Sequence, residues 1–336
     1  MNTRLLRSIP LVAILAAGLS AESLNHPTGS QGLMMVDKFG ARIRFFDPTT
    51  FKELSSFEVG KNPHDFALSP DHKFAYVPIY GDGVYSRNPN PGHEVVIVDL
   101  EAQKLAAVID IAPFKSPHGI QIDGKGKLYL ACDMDRKIVI VDTKTRKVEG
   151  AIDNEGTGHW IGILPDGSKA YVTNKSDRLF ISVLDLKTKQ IVGRIPAPNG
   201  SEGITVSPDG KRVVVVEQQQ AALLLIDPKT DVVTDRIVLK GQTRGYKAYY
   251  SPDGKWLLTM SMADKMVSIF PASNLKAEPK NLPSGKDPMG FAFSRDGKTV
   301  LVANHGDGSV SVIDLPKMEV VNNFHAGTAI ETLTYY

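Results

Sequence analysis

The chain has 336 residues, 39 Lys and Arg against 37 Asp and Glu, 42% hydrophobic residues and one cysteine. So even a balance excludes a generally basic nucleic-acid surface; a single cysteine excludes both an intrachain disulfide and a cysteine pair for covalent haem attachment. Beyond the N-terminal segment, no apolar stretch reaches the ~18 residues that a membrane-spanning helix requires.

Residues 1–21 read as a secretory signal, with Arg4 and Arg7 as the basic start, Pro10 to Gly18 as the apolar run, and Ser20-Ala21 as a small-residue cleavage site. A periplasmic or secreted protein is expected, with residues 22–31 as a lead-in and 32–336 as one domain. The sole cysteine, Cys132, falls in the apolar run Leu128 to Cys132 and is expected as a small buried thiol.

From residue 33 onwards the pattern is one of short strands. Leu33–Asp37, Arg42–Asp47 and Lys52–Val59 give three strands with no partner before them. A turn phrase then recurs at Ser69-Pro70-Asp71, Pro165-Asp166-Gly167, Ser207-Pro208-Asp209-Gly210, Ser251-Pro252-Asp253-Gly254 and Ser294-Arg295-Asp296-Gly297, with a weaker copy at Asp123-Gly124. Each copy follows one β-branched or aromatic strand and precedes three more. In the clearest repeat the strands are His159–Leu164, Ala170–Asn174, Phe180–Asp185 and Gln190–Ile195.

Four antiparallel strands recurring every ~40 residues predict propeller blades. The residues five places before the turn Ser are His64, His118, His159, Glu202, Tyr246, Met289 and Glu331, so seven first strands are present. The last has no successors. It is expected to complete the blade that lacks a first strand, closing an all-β, seven-bladed ring with no free edge. Asp47, Asp99, Asp142, Asp185, Asp227 and Asp314, each closing a third strand, are read as turn formers rather than catalysts.

The string Tyr171-Val172-Thr173-Asn174, after a Pro-Asp-Gly turn and before a Val-Leu-Asp strand, resembles the YVTN repeat family of seven-bladed propellers over about residues 30–336. That resemblance implies the same fold, and a group that includes surface-layer proteins, periplasmic proteins, lactonases and subunits of quinone-linked dehydrogenases. Pro117-His118-Gly119-Ile120 is also similar to the strand starts of propeller antibiotic lyases. One fold carries many chemistries, so the site must be argued on its own.

Strand alternation places Phe66 and Leu68, Ile120 and Ile122, Ile161 and Ile163, Ile204 and Val206, and Phe291 and Phe293 between blades. The seven anchor residues ahead of them are not aliphatic, and innermost strands should bring them to one mouth of the central channel. His64, His118, His159 and Glu202, with Met289 as a soft donor, form a set suited to a divalent ion of undetermined identity. Glu202 and Glu331 are candidate ligands or general bases, and Tyr246 and Arg244 complete the candidate catalytic set. Lys61, Lys115 and Lys286 are expected to add positive charge at the rim.

The second-strand ends Asp37, Ile79, Asp133, Asn174, Glu217, Ser261 and Asn304 should lie on the same rim, either orienting a ligand or capping strands, with capping favoured at Asn174 and Asn304. The first full repeat is longer than the others, and its excess, Gly81 to Glu94, with Tyr80 at its base and Tyr85, Arg87 and His93 within it, is expected as a lid over the mouth. The leading expectation is a metal-assisted hydrolase or lyase on a small anionic or lactone-like molecule. A binding scaffold for a cell-envelope protein and a copper-linked redox protein, drawing on Met134, Met260 and Met262, are the alternatives. A monomer with no nucleotide cofactor is expected, since no phosphate loop or nucleotide fingerprint is present.

Overall fold

The computed structural model describes residues 32–175 and 178–336; the signal segment and lead-in lie outside the described residues. Seven four-stranded antiparallel sheets are arranged as blades. Blade 1 takes its innermost strand, Ile330–Tyr335, from the C-terminus and its other three, Leu33–Asp37, Arg42–Phe46 and Glu53–Glu58, from the beginning of the described chain. Leu33 pairs with Tyr335, and Gly32 and Tyr336 exchange backbone hydrogen bonds of 3.0 and 3.1 Å. The ring closes as the unpaired ends of the repeat require.

Blades 2 to 7 begin with the inner strands Ala67–Leu68, Pro117–Ile122, Gly158–Ile163, Ser201–Val206, Ala248–Tyr250 and Pro288–Phe293. The recurring turn explains itself chemically. In blade 5, Ser207 Oγ donates to Asp209 Oδ1 at 2.7 Å and accepts from Arg212 N at 3.0 Å, while Asp209 Oδ1 accepts from Lys211 N. The same bonds form around Ser69, Ser251 and Ser294. The following glycine stands at φ +67 to +69° in blades 4 to 7, a region an L side chain enters only with strain. The Asp that closes each third strand accepts backbone N–H groups two or three places on, as in Asp47, Asp142 and Asp185, and so is the turn former expected of it.

Packing lies between blades, where seven apolar clusters join the seven neighbouring pairs around the ring. The pairs predicted from strand alternation fall in them: Phe66 and Leu68 with blade 1, Ile161 and Ile163 with blade 3, Phe291 and Phe293 with blade 6. Cys132 is buried in the cluster between blades 2 and 3.

At the axis the inner strands crowd. The residues just after the anchors are Asp65, Gly119, Trp160, Gly203, Lys247, Gly290 and Thr332. A Cβ on Gly203 would stand 2.6 Å from Lys247 Cα, and one on Gly290 3.0 Å from Thr332 Cα. Glycine therefore alternates with larger groups from blade 2 to blade 1, because these inner strands approach too closely for two side chains; only between blades 1 and 2 do two non-glycine residues, Thr332 and Asp65, meet.

Candidate functional site

All seven anchors line one cavity of about 440 Å3 at a single mouth of the channel. Simple alternation does not aim them there. In blades 1, 3, 4, 5 and 7 the ladder between first and second strands slips at the anchor: Pro117 pairs with Cys132 but Ile120 with Leu130, so His118 and Gly119 share one partner's space. Such a bulge re-aims a side chain. The anchor turns into the channel while the residues beyond it resume the inter-blade face.

His64, His118 and His159 are buried, with successive ring centroids 3.8 and 4.4 Å apart and tilts of 45° and 40°. Trp160 packs against all three at 5.7, 5.1 and 4.8 Å, and the Lys247 ammonium lies 3.6 Å from its ring centroid. Contact with His64 on blade 2 and with Lys247 on blade 6 puts the indole on the channel axis, where it backs the imidazoles. A cation over an indole face is attractive, and more so when desolvated.

Two buried carboxylates flank the row. Glu202 Oε1 lies 3.1 Å from His159 Nδ1, not aligned for a hydrogen bond, and Glu202 accepts from Lys175 Nζ at 3.0 Å and Gln218 Nε2 at 2.8 Å. Glu331 stands 3.4 Å from His64 Nδ1 and 3.5 Å from both Lys38 Nζ and His305 Nε2. Burial pushes the Glu202 carboxyl up, against the pull of Lys175 and Arg244. Burial holds all three imidazoles well below the ordinary histidine value, helped by neighbouring His118 and Lys38 at His64, by Lys38, Lys175 and Lys247 at His118, and by Lys175 at His159. They are neutral bases at pH 7. Among the described residues the Nδ1 atoms of His64, His118 and His159 have no hydrogen-bond partner.

A neutral buried imidazole has a measurable consequence. Below pH 6.5 the unfolded chain takes up a proton at His118 that the folded chain refuses, so stability falls as pH drops, by about 1.4 kcal/mol per pH unit for each such group. In protein freed of metal by chelation, His118→Asn should gain on wild type as pH falls from 7 to 5 in urea melts, by at most about 2 kcal/mol. An advantage that does not grow on acidification contradicts the neutral imidazole.

The expected second-strand ends do not face the cavity. Asn174 Nδ2 donates to Phe180 O and Ser182 Oγ, Asn304 Nδ2 to Ser309 and Ser311 Oγ, and Asp37 accepts from Arg44, Thr328 and Ala329. Asp133 and Glu217 are likewise buried and bonded, and all of these serve as caps within the rim. The residues one place later point inward instead, except Met134, which is exposed and does not line the cavity. Lys38, Tyr80, Lys175, Gln218 and Met262 line the cavity, and His305 reaches Glu331. A one-residue shift along a strand changes the face, so the repeat position eleven places after the turn Ser held the missed signal.

Of the rim cations, Arg244 lines the cavity and makes no ion pair among the described residues, whereas Lys61 pairs with Asp82 and neither Lys115 nor Lys286 lines the cavity. The predicted insert is a hairpin that prolongs Phe74–Val84 and Arg87–Asp99 over the mouth. At its tip Tyr85 sets its ring against His118 and His159 at 5.2 and 4.6 Å and donates to Thr157 O; at its base Tyr80 donates to Asp133. His93 instead faces Asp110.

Among the described residues no group of three or more His, Cys, Asp or Glu is disposed to hold a metal ion. The imidazoles pack ring on ring, and Glu202 and Glu331 lie at opposite ends of their row, so His64, His118, His159 and Glu202 do not converge as placed.

Residues 124–298 match the family described as Domain of unknown function (DUF5074). The chain belongs to the DUF5074 family. The DUF5074 stretch includes His159, Glu202, Tyr246 and Met289, while His64, His118 and Glu331 lie outside it. No curated protein matches the chain. In fold it is similar to hydrazine synthase from Kuenenia stuttgartiensis, with TM-score 0.70 and 18% identity over 83% of this chain and 91% of that one. A functionally unknown protein from Desulfotomaculum acetoxidans DSM 771 is similar with TM-score 0.77 and 13% identity, over 91% and 99% of the two chains. At these identities the likeness is one of fold.

Proposed function

We propose that this is an exported propeller that binds a small carbonyl compound, anionic or lactone-like, in the channel mouth and acts on it by acid–base hydrolysis or elimination. The observation that carries the reading is the row of three buried, neutral imidazoles with unpartnered Nδ1 atoms, set between two buried carboxylates on the wall of one cavity. Perturbed titratable groups converging in a pocket of this size are the usual mark of a site. Export rests on the N-terminal signal, and the likeness to YVTN-type propellers agrees with it.

Glu202 facing His159 Nδ1 would hold that imidazole with its other nitrogen free to accept a proton, and contacts of this kind tighten when substrate binds. In lactone hydrolysis His159 takes a proton from water as the oxygen attacks the carbonyl carbon. The ring C–O bond then breaks and the same proton passes to the departing alkoxide, leaving a hydroxy acid. Tyr246, whose phenol burial keeps protonated, and the unpaired Arg244 would meet the carbonyl oxygen and an anionic end of the substrate.

With a panel of small lactones, His159→Ala and Glu202→Gln should each lower kcat by about 10²- to 10⁴-fold with the fold intact by circular dichroism. Turnover that survives both substitutions overturns the assignment. The unpartnered nitrogens favour a second reading, in which the rings turn to place His64, His118, His159 and Glu202, with Met289, around a divalent ion. Elemental analysis of natively purified protein separates the two: stoichiometric metal that disappears in His118→Ala supports the second.

A further inference from the structure

Each blade supplies the cavity from its anchor, and five of the seven also from the residue after the second strand, yet the chemistry at those positions is sorted by blade. Blades 2 to 5 present His64, His118, His159 and Glu202, with Lys175 and Gln218 above them. Blades 6 and 7 present Tyr246, Met262 and Met289, and Phe39 of blade 1 continues that side. Because these blades are consecutive around the ring, the imidazoles and Glu202 hold one arc, and Met262, Met289 and Phe39 form an apolar stretch on the other, bordered by Arg244, Asp287, Lys38 and Glu331.

Three members of the apolar stretch are not core. Met262 and Met289 are only half-buried and join none of the inter-blade clusters, and Phe39 is 63% exposed, whereas Tyr246 packs against the cluster between blades 6 and 7 as it lines the cavity. Methionine that fills a gap is normally surrounded on all sides. Here two methionines, a phenol and a phenyl ring face open cavity, and apolar surface left uncovered at a pocket marks where a partner's apolar surface goes.

We infer that the ligand is amphipathic: a polar carbonyl or carboxyl group is held by the imidazole arc with Tyr246 and Arg244, and an alkyl or aryl body of the same molecule lies across Met262, Met289 and Phe39. The inference rests on the proposed function for the polar end and adds the class of substrate. Flexible thioethers accept chains of differing shape, so the apolar arc selects for hydrophobicity rather than for one outline.

Binding of acetate, butyrate, hexanoate and octanoate by calorimetry tests it. Affinity should rise about fourfold per methylene, the equivalent of ~0.8 kcal/mol for each buried CH2, until the cavity is filled. The double variant Met262→Ser, Met289→Ser should lose most of that gain while binding acetate within about twofold of wild type, and the Leu double variant should retain it. Affinity independent of chain length, a gain untouched by the Ser pair, or no binding by any member overturns the inference. If the gain is present but His159→Ala leaves every member unchanged, the amphipathic assignment stands and the proposed role of the imidazole fails. If His159→Ala weakens butyrate but no gain with length is seen, the reverse holds.

Discussion

Removal of residues 330–336 is expected to leave a chain that does not fold cooperatively. The segment is the innermost strand of blade 1, and it pairs with Leu33–Asp37, which otherwise offers a bare edge. Ile330 and Leu333 are buried between blades 7 and 1. Their burial alone contributes about 3 to 6 kcal/mol, a large part of the ~5 to 15 kcal/mol by which a domain is stable. The same deletion takes Glu331 from the site, leaving Lys38, His64 and His305 without their carboxylate. The expected readout is insoluble expression or a broad, non-cooperative melt; a sharp transition near that of the full chain would show that the closing strand is dispensable. Supplying residues 330–336 as a peptide in trans should restore part of the cooperativity.

Gly119→Ala should be about as damaging for a change of one methyl group. A Cβ there would stand 2.1 Å from His159 O and 3.2 Å from Trp160 Cα, and backbone atoms cannot rotate away as a side-chain tip can. The inner strand of blade 4 must move outward, at a cost of about 3 kcal/mol or more. That strand carries both His159 and the indole behind the imidazoles, so loss of stability should come with a changed near-ultraviolet signal from Trp160. Gly124→Ala is the control, since nothing stands within 4 Å of a Cβ at that position. A Gly119→Ala protein as stable as the control would mean that the inner strands are not in contact as described.

Much of the fold was legible because its signals are short-range. The Ser-Pro-Asp-Gly turn bonds within itself, so its chemistry survives in each copy, and the strand on either side is set by alternation over four to six residues. The anchors were legible for a different reason: His, Glu and Tyr at a repeat position where packing calls for an aliphatic residue stand out against their own repeat. At the inner rim capping, the reading favoured for Asn174 and Asn304, holds, and the cavity-facing residues stand one place further on. Asp37, Asn174 and Asn304 are polar because they cap, and the cavity receives Lys38 and Lys175 from the next position, while His305 reaches Glu331 from it. Polarity alone does not say on which face of a strand a residue stands.

The sequence by itself determined the number of blades, the manner of closure, and the seven positions that meet at one mouth. Only the tertiary structure decided how those side chains are aimed and partnered: the bulges that turn His118, His159, Glu202 and Glu331 inward, the indole on the axis, the carboxylates at either end of the imidazole row, and the convergence of Met262, Met289 and Phe39 on the cavity wall. A turn is fixed by atoms a few bonds apart. The site is assembled across the axis by residues as distant as Lys38 and Glu331, whose contact exists only once the ring has closed.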